Sequence, residues 1–323
     1  MGPGGRIGPC AADGEGALTD LDGIYRGNAV RARALLLALL VLPGLASLAE
    51  AYTAAGDRTF PATIVIPQIA PTDELYLTFT SLDPTSGSRL STFGTVYNKT
   101  ITDRFSVGVE DNYDWLSPKK GHVTTGFENF ETLAKYLAVL DQENEFLLSL
   151  GIDREWGGTG RPGTGAAPIG ATTTAMTFGK GMNGVGPDLF HPVSLSGVVG
   201  YQFSDGGRRP DRWVTGLSLD YSIPYLEAKV RSVDLPDFFR AMTPMVEVLF
   251  STPIGQSFGA RTAITVAPGF NYSGQGWELG LEALLPATQA TGNGIGVAAQ
   301  LHFALDYLFA GRLPGNPLFS PEE

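Results

Sequence analysis

The stretch GIGVAAQLHFALDYLF, near the end of the chain, alternates in steps of two. Val297, Ala299, Leu301, Phe303, Leu305, Tyr307 and Phe309 form one apolar side, and Ala298, Gln300, His302, Ala304, Asp306 and Leu308 form the other. Period two is the mark of a strand whose two faces meet different surroundings. Here one face is greasy along its whole length, while the other carries an amide, an imidazole and a carboxylate. A solvent that wants both must be apolar outside and polar within.

The same alternation recurs from Tyr52 onward, broken by clusters of Gly, Pro, Asn and Asp. DRFSVGVEDNYDW sets Phe105, Val107 and Val109 against Ser106, Gly108 and Glu110. HPVSLSGVVGYQFS, DRWVTGLSLDYSI and GWELGLEALLP follow suit, and Asp141, Gln142 and Glu143 make a polar turn between two strands. About twelve strands of roughly 9 to 13 residues are expected, too long for an ordinary soluble sheet and right for tilted membrane-crossing strands. Aromatics such as Tyr113, Trp115, Tyr201, Trp213, Tyr221 and Trp277 sit near strand ends, where two interfacial girdles would lie. A soluble β-sandwich alternates too, but its strands are shorter. In lipid every backbone amide must be paired, so a sheet survives there only by closing on itself. The expected fold is all-β: a closed antiparallel transmembrane barrel, with one short amphipathic helix near 235–242.

Residues 30–51 read as a secretory signal peptide: Arg31 and Arg33 precede the apolar run from Ala34, and Ala49-Glu50-Ala51 offers a small-x-small cleavage site. The run is too short to span a bilayer as a helix. Residues 1–29 form an extension ahead of it, and translation starting near Val30 would remove them. The further divisions are an N-terminal periplasmic segment at 52–72, the barrel at 73–309 and a tail at 310–323. Cys10 is the only cysteine and lies upstream of the cleavage site, which leaves an exported chain without thiols. A net charge of −11 without a basic cluster argues against nucleic acid as a partner. The expected partners are the outer-membrane bilayer, the barrel-assembly machinery and an unidentified small solute.

Charged residues that alternate with lipid-facing ones should point inward, because a charge on the lipid face costs about 2 to 4 kcal/mol for a base at mid-membrane. That reasoning selects Glu110, Asp114, Asp220, Glu278, Glu282, Gln300, His302 and Asp306 as lumen-lining and solute-contacting residues. Glu128, Glu145, Asp153 and Glu247 extend the acidic set, and Glu278, Glu282 and Asp306 would form a partial ring on the last two strands. Such an excess of one sign favours cations. In EAKVRSVDLPDFFRAM, Asp234 suits an N-cap, Pro236 the first turn, and Leu235, Phe238, Phe239 and Met242 one apolar face. This helix belongs on the periplasmic rim. GGTGRPGTGAAPIG, residues 157–170, resembles a phosphate loop only in its glycines, since no helix start with a Lys-Ser/Thr pair follows; it reads as an extracellular loop.

No cofactor or metal site is expected, because cysteine is absent downstream of the signal and His122, His191 and His302 are scattered. An outer-membrane hydrolase would need a nucleophile beside a base. His302 has Ala304 where a His-x-Ser pair would place serine. The chain is therefore not expected to be an enzyme. NEFLLSLGIDREWGGTG, from Asn144, and GVAAQLHFALDYLF, from Gly296, resemble segments of uncharacterised proteobacterial outer-membrane β-barrel proteins, themselves similar to transporter-type barrels found with aromatic (phenol) degradation genes. The resemblance implies a barrel and transport of small solutes, hydrophobic or cationic, and assigns no functional residue. The alternative is a structural or surface-interaction barrel with a filled lumen.

Overall fold

The computed structural model describes residues 53–319, apart from 86, 165, 207–208 and 256–260. The extension expected at 1–29 and the signal peptide expected at 30–51 lie outside the described residues. A two-rung hairpin, β1 (Ala54–Ala55) with β2 (Arg58–Thr59), comes first. Thirteen further strands follow: β3 (Glu74–Thr85), β4 (Ser88–Thr102), β5 (Phe105–Pro118), β6 (Thr124–Phe127), β7 (Glu131–Asp141), β8 (Phe146–Glu155), β9 (Ala171–Gly181), β10 (Val193–Ser204), β11 (Arg212–Tyr221), β12 (Met242–Pro253), β13 (Ala263–Ser273), β14 (Trp277–Pro286) and β15 (Gly296–Ala304). Each pairs antiparallel with its neighbour, and β15 returns to β3 with Leu301 opposite Leu77. β6 and β7 both pair with β5, at its two ends, so they share one place in the wall. The result is a closed barrel of twelve staves.

Closure leaves no edge, and the alternation then sorts the side chains. Tyr136, Leu150, Met176 and Val199 stand opposite one another across four strands and are all exposed on the outside. One step along, Ser149, Thr177 and Val198 are buried inside. Outward aromatics cluster at one end, where Tyr201 meets Trp213 edge-on at 5.1 Å and Tyr113 meets Phe127 at 4.9 Å. At the other end Tyr272 lies 5.9 Å from Trp277. An apolar belt between two aromatic girdles around a polar interior is the construction of an outer-membrane barrel. Among the described residues no helix is long and apolar enough to cross a membrane, so any crossing is made by strands.

β3 begins and β15 finishes at the same end, here called the near end. The near end carries the connections after β4, β7, β9, β11 and β13, and the far end those after β3, β5, β8, β10, β12 and β14. In the near-end connection at 222–241, the Ser222 side chain caps a first helical turn, Ile223–Tyr225, accepting from the Tyr225 amide at 3.2 Å. The helix expected near 235–242 shrinks to Asp237–Arg240, with Pro236 rather than Asp234 at the cap. Met242 cannot extend it because it already pairs with Tyr272 as the first residue of β12. Phe238 and Phe239 are exposed on the rim, and Phe238 stacks on Tyr272.

The last strand is also shorter than its alternation suggests. It stops at Ala304, and Leu305–Leu308 coil into a helical turn whose Leu305 amide bonds to the Asp73 carbonyl at 2.8 Å. Leu305 is buried and Asp306 is exposed, so neither keeps the facing that a continued strand would give. The tail packs along the end of β4, where Lys99 Nζ bonds to the carbonyls of Pro314 (3.0 Å) and Asn316 (2.6 Å).

Candidate functional site

Residues 60–72, FPATIVIPQIAPT, lie inside the barrel. The N-terminal periplasmic segment is expected at 52–72; its part 60–72 instead bonds to the inner wall, and residue 52 lies outside the described residues. Pro61, Pro67 and Pro71 deprive the segment of three amide donors and keep it out of any sheet. Its remaining polar backbone groups must find partners on the wall. Glu247 on β12 accepts three of them, the amides of Ile64, Val65 and Ile66, at 2.8, 2.8 and 2.7 Å. Glu278 on β14 accepts the Ala62 amide at 2.8 Å, and Asn271 on β13 donates to the Ala62 carbonyl. Gln300 donates to Thr63 (3.2 Å), Thr177 to Ile69 (3.0 Å) and Lys135 to Gln68. A buried carboxylate is costly without donors, and successive amides converging on one anion supply them at about 1.5 to 3 kcal/mol per charge-assisted bond.

The wall makes room where the segment comes close. A Cβ on Gly216 would lie 2.6 Å from the Ile66 side chain, and one on Gly280 would lie 2.9 Å from Ile64. Phe60 and Ile69 are buried with Ala55, Leu137 and Leu147 on the β7–β9 side, while Ile64 and Val65 pack on Ala267, Leu284 and Ala298 of the opposite wall.

Both ends of the segment are tied at the near end. Arg58 is fully buried; it donates to the Glu145 carboxylate at 3.3 Å and to the carbonyls of Pro192 (3.1 Å) and His191, with its guanidinium 3.8 Å above the Tyr225 ring. The Tyr225 hydroxyl donates to Glu145 at 2.9 Å; burial, with that bond, pushes its pKa up to about 12. Glu145 is thus a clamp in the 142–145 turn, at a left-handed φ of 48°, and does not line the lumen. At the other end Asp73 accepts from the Thr100 amide (2.7 Å), the Thr100 hydroxyl (2.6 Å) and Lys99 (2.7 Å).

His302 joins three strands. Its Nε2 lies 3.3 Å from Glu74 of β3 and its Nδ1 lies 3.4 Å from Glu278 of β14. Its ring stacks on Tyr76 at 4.5 Å and 9°. Tyr76 in turn donates to Glu74. Since Glu278 also holds the Ala62 amide, this bridge connects the barrel wall to the inserted segment.

Of the sequence-selected residues, Glu110, Asp114, Asp220, Glu278, Glu282, Gln300 and His302 face inward and Asp306 does not. Asp306 lies past the end of β15, exposed at the near-end rim, so the ring imagined with Glu278 and Glu282 does not form. Glu278 and Gln300 serve the inserted segment. Asp220 takes the Ser194 hydroxyl at 2.5 Å, and Asp114 that of Thr92 at 2.5 Å. The segment's tie points at Arg58, Tyr225 and Asp73 escaped selection, and Glu145 was expected in the lumen instead, because each lies in a turn or at a strand end where alternation is silent. The signal that could have found them is the run of three prolines among apolar residues directly before the first long strand.

The segment does not fill the lumen. Between it and the inner face of β3–β5 and β7–β9 lies a cavity of about 340 Å³, bordered by Thr78, Asn98, Glu110, Lys135, Asp153 and the segment itself. The far-end loop after β8 packs against β6, with Arg161 donating to the Thr125 carbonyl at 2.6 Å. Its glycines permit tight contacts; a Cβ on Gly160 would meet the Glu128 carbonyl at 2.4 Å. Among the described residues no three His, Cys, Asp or Glu side chains converge as a metal site.

No family model matches the chain, and no curated relative matches it. Among solved structures, the KdgM porin in complex with disordered oligogalacturonate is similar at 11% identity and a TM-score of 0.43, over 71% of this chain and 98% of that one. An outer-membrane channel from Pseudomonas putida F1 is similar at 11% identity and 0.48, over 71% and 93%. LpxR from Salmonella typhimurium is similar at 10% identity and 0.42, over 71% and 99%. At such distances none of them lends this chain a solute or a chemistry.

Proposed function

We propose that this protein passes small solutes across the outer membrane through the part of its lumen that residues 60–72 leave open. The observation that supports this reading is the cavity of about 340 Å³ between that segment and the β3–β9 wall, a volume in the range of small-molecule sites. The near end faces the periplasm in this reading, and the far-end loops face outward. His302 acts as a structural bridge with both ring nitrogens on carboxylates, which supports a non-enzymatic role. The assembly machinery that inserts such barrels is the further partner.

A filled, structural barrel is the second reading, and the many bonds between the inserted segment and the wall favour it. Planar-bilayer recording of the purified protein separates the two. Discrete conductance steps are expected from the channel. Silence in a correctly folded, heat-modifiable preparation would leave the filled barrel.

A further inference from the structure

We infer that residues 305–319 and the rim beside them form a phospholipid-binding foot, which lies in the headgroup region of the leaflet at the near end. The ladder ends at Ala304, and the chain then turns back over the outside of the barrel. Lys99 fixes the side. It stands opposite Val107, one of the exposed apolar residues of β5, and so takes an outward position on β4. Its side chain is nonetheless buried, with the ammonium held by Asp73 and by the tail carbonyls of Pro314 and Asn316. The amides of Leu318 and Phe319 bond to the carbonyls of Thr100 and Ile101, at 3.2 and 2.9 Å. A base on the lipid-facing side needs such cover.

The outer surface of this tail is apolar. Leu308, Phe309, Leu313, Leu318 and Phe319 are all exposed, Leu313 and Phe319 to 69% each. Asp306 and Arg312 are the only charged residues in 305–319. Hydrogen bonds from the Phe309 amide to Leu305, from Arg312 to Phe309 and from Gly315 to Arg312 wind the tail into compact turns, which keep these side chains together. An apolar patch of that kind marks a contact surface. Its neighbours identify the contact. A Cβ on Gly276 would lie 2.6 Å from the Tyr307 ring and 2.9 Å from the Leu308 side chain, so the start of the tail packs on the turn that leads into Trp277. Trp277 lies 5.9 Å from Tyr272, and Phe238 stacks on Tyr272 at 5.2 Å. Phe238 and Phe239 are exposed as well. The patch is thus continuous with the near-end aromatic girdle, whose partner is lipid. Apolar side chains at that level sink about 5 to 10 Å into the boundary between headgroups and acyl chains. Arg312, exposed between Phe309 and Leu313 in the chain, adds a cation at the level of the lipid phosphates.

The test uses spin labels on single cysteines, placed in a Cys10→Ser background of the folded protein in dioleoylphosphatidylcholine vesicles. Leu313→Cys and Phe319→Cys carry the labels; Leu150→Cys on the outer wall and His122→Cys in an exposed far-end connection are the references. Oxygen concentrates in lipid and a nickel chelate in water. At 313 and 319 the ratio of oxygen to nickel collisions is expected to be several-fold above that at 122 and to approach that at 150. A ratio equal to that at 122 would overturn the foot, since the tail would then lie in water. Low collision with both reagents would overturn it too, because a second copy or another protein would then cover the patch. Each variant is read only where it shows heat-modifiable migration, and Leu308→Cys takes the place of one that does not fold. The labels report lipid without any current, so a silent barrel with an immersed tail would refute the channel alone. A conducting barrel whose tail lies in water would refute this inference alone.

Discussion

At the scale of single residues, the decisive feature is a buried carboxylate that holds three consecutive amides. Replacing Glu247 with Ala removes the acceptor for Ile64, Val65 and Ile66 together, and an orphaned buried donor costs about 1 to 3 kcal/mol. The expected outcome is loss of protection of these amides in hydrogen exchange while the barrel ladder stays protected. Protection unchanged at all three would mean that the segment is held by something else. Period two is a local property, so the inward facing of Glu110, Glu278, Gln300 and His302 can be read from neighbours two residues away. What each group touches cannot. Glu247 and Ile64 are 183 residues apart, and only closure of the barrel brings them together.

At the scale of elements, strands were the legible part and their ends were not. Alternation continues formally through Leu305, Tyr307 and Phe309, yet the ladder ends at Ala304 because β3, its partner, begins at Glu74 opposite it. The inserted segment has no periodicity at all, and its prolines mimic an ordinary linker. Lipid-facing positions give a direct test of the elements that were read correctly. Leu150 lies at the middle of β8 and is exposed on the outer face beside Tyr136 and Met176. Leu150→Arg is expected to lower stability in vesicles by about 2 to 4 kcal/mol, and Leu150→Ala by clearly less. Equal losses from denaturant titration would mean that the outer face of β8 does not meet lipid.

The near-end clamp is an element-scale device as well. Arg58→Ala removes the ion pair to Glu145, two bonds to loop carbonyls and the contact with the Tyr225 ring in one step. Breaking a buried pair from one side costs about 3 to 5 kcal/mol, because the remaining charge is left uncompensated. Limited proteolysis should then cut the β1–β2 hairpin faster than in the parent protein while β3–β15 remain intact. A hairpin cut no faster than in the parent would show that Arg58 does not hold it.

At the scale of the whole molecule, a closed ladder around an apolar belt predicts resistance to detergent until heating. The folded protein should therefore migrate differently in boiled and unboiled samples. The central claim, however, concerns what occupies the lumen: an inserted segment narrows a barrel that is otherwise open. Because Asp73 and Lys99 anchor β3 and β4 independently of residues 53–72, a variant lacking those residues should still close its barrel. Single-channel conductance of this variant, compared with the parent in the same bilayer and salt, tests the claim most directly. A several-fold larger conductance is the expected result. An identical conductance from two correctly folded barrels would contradict it.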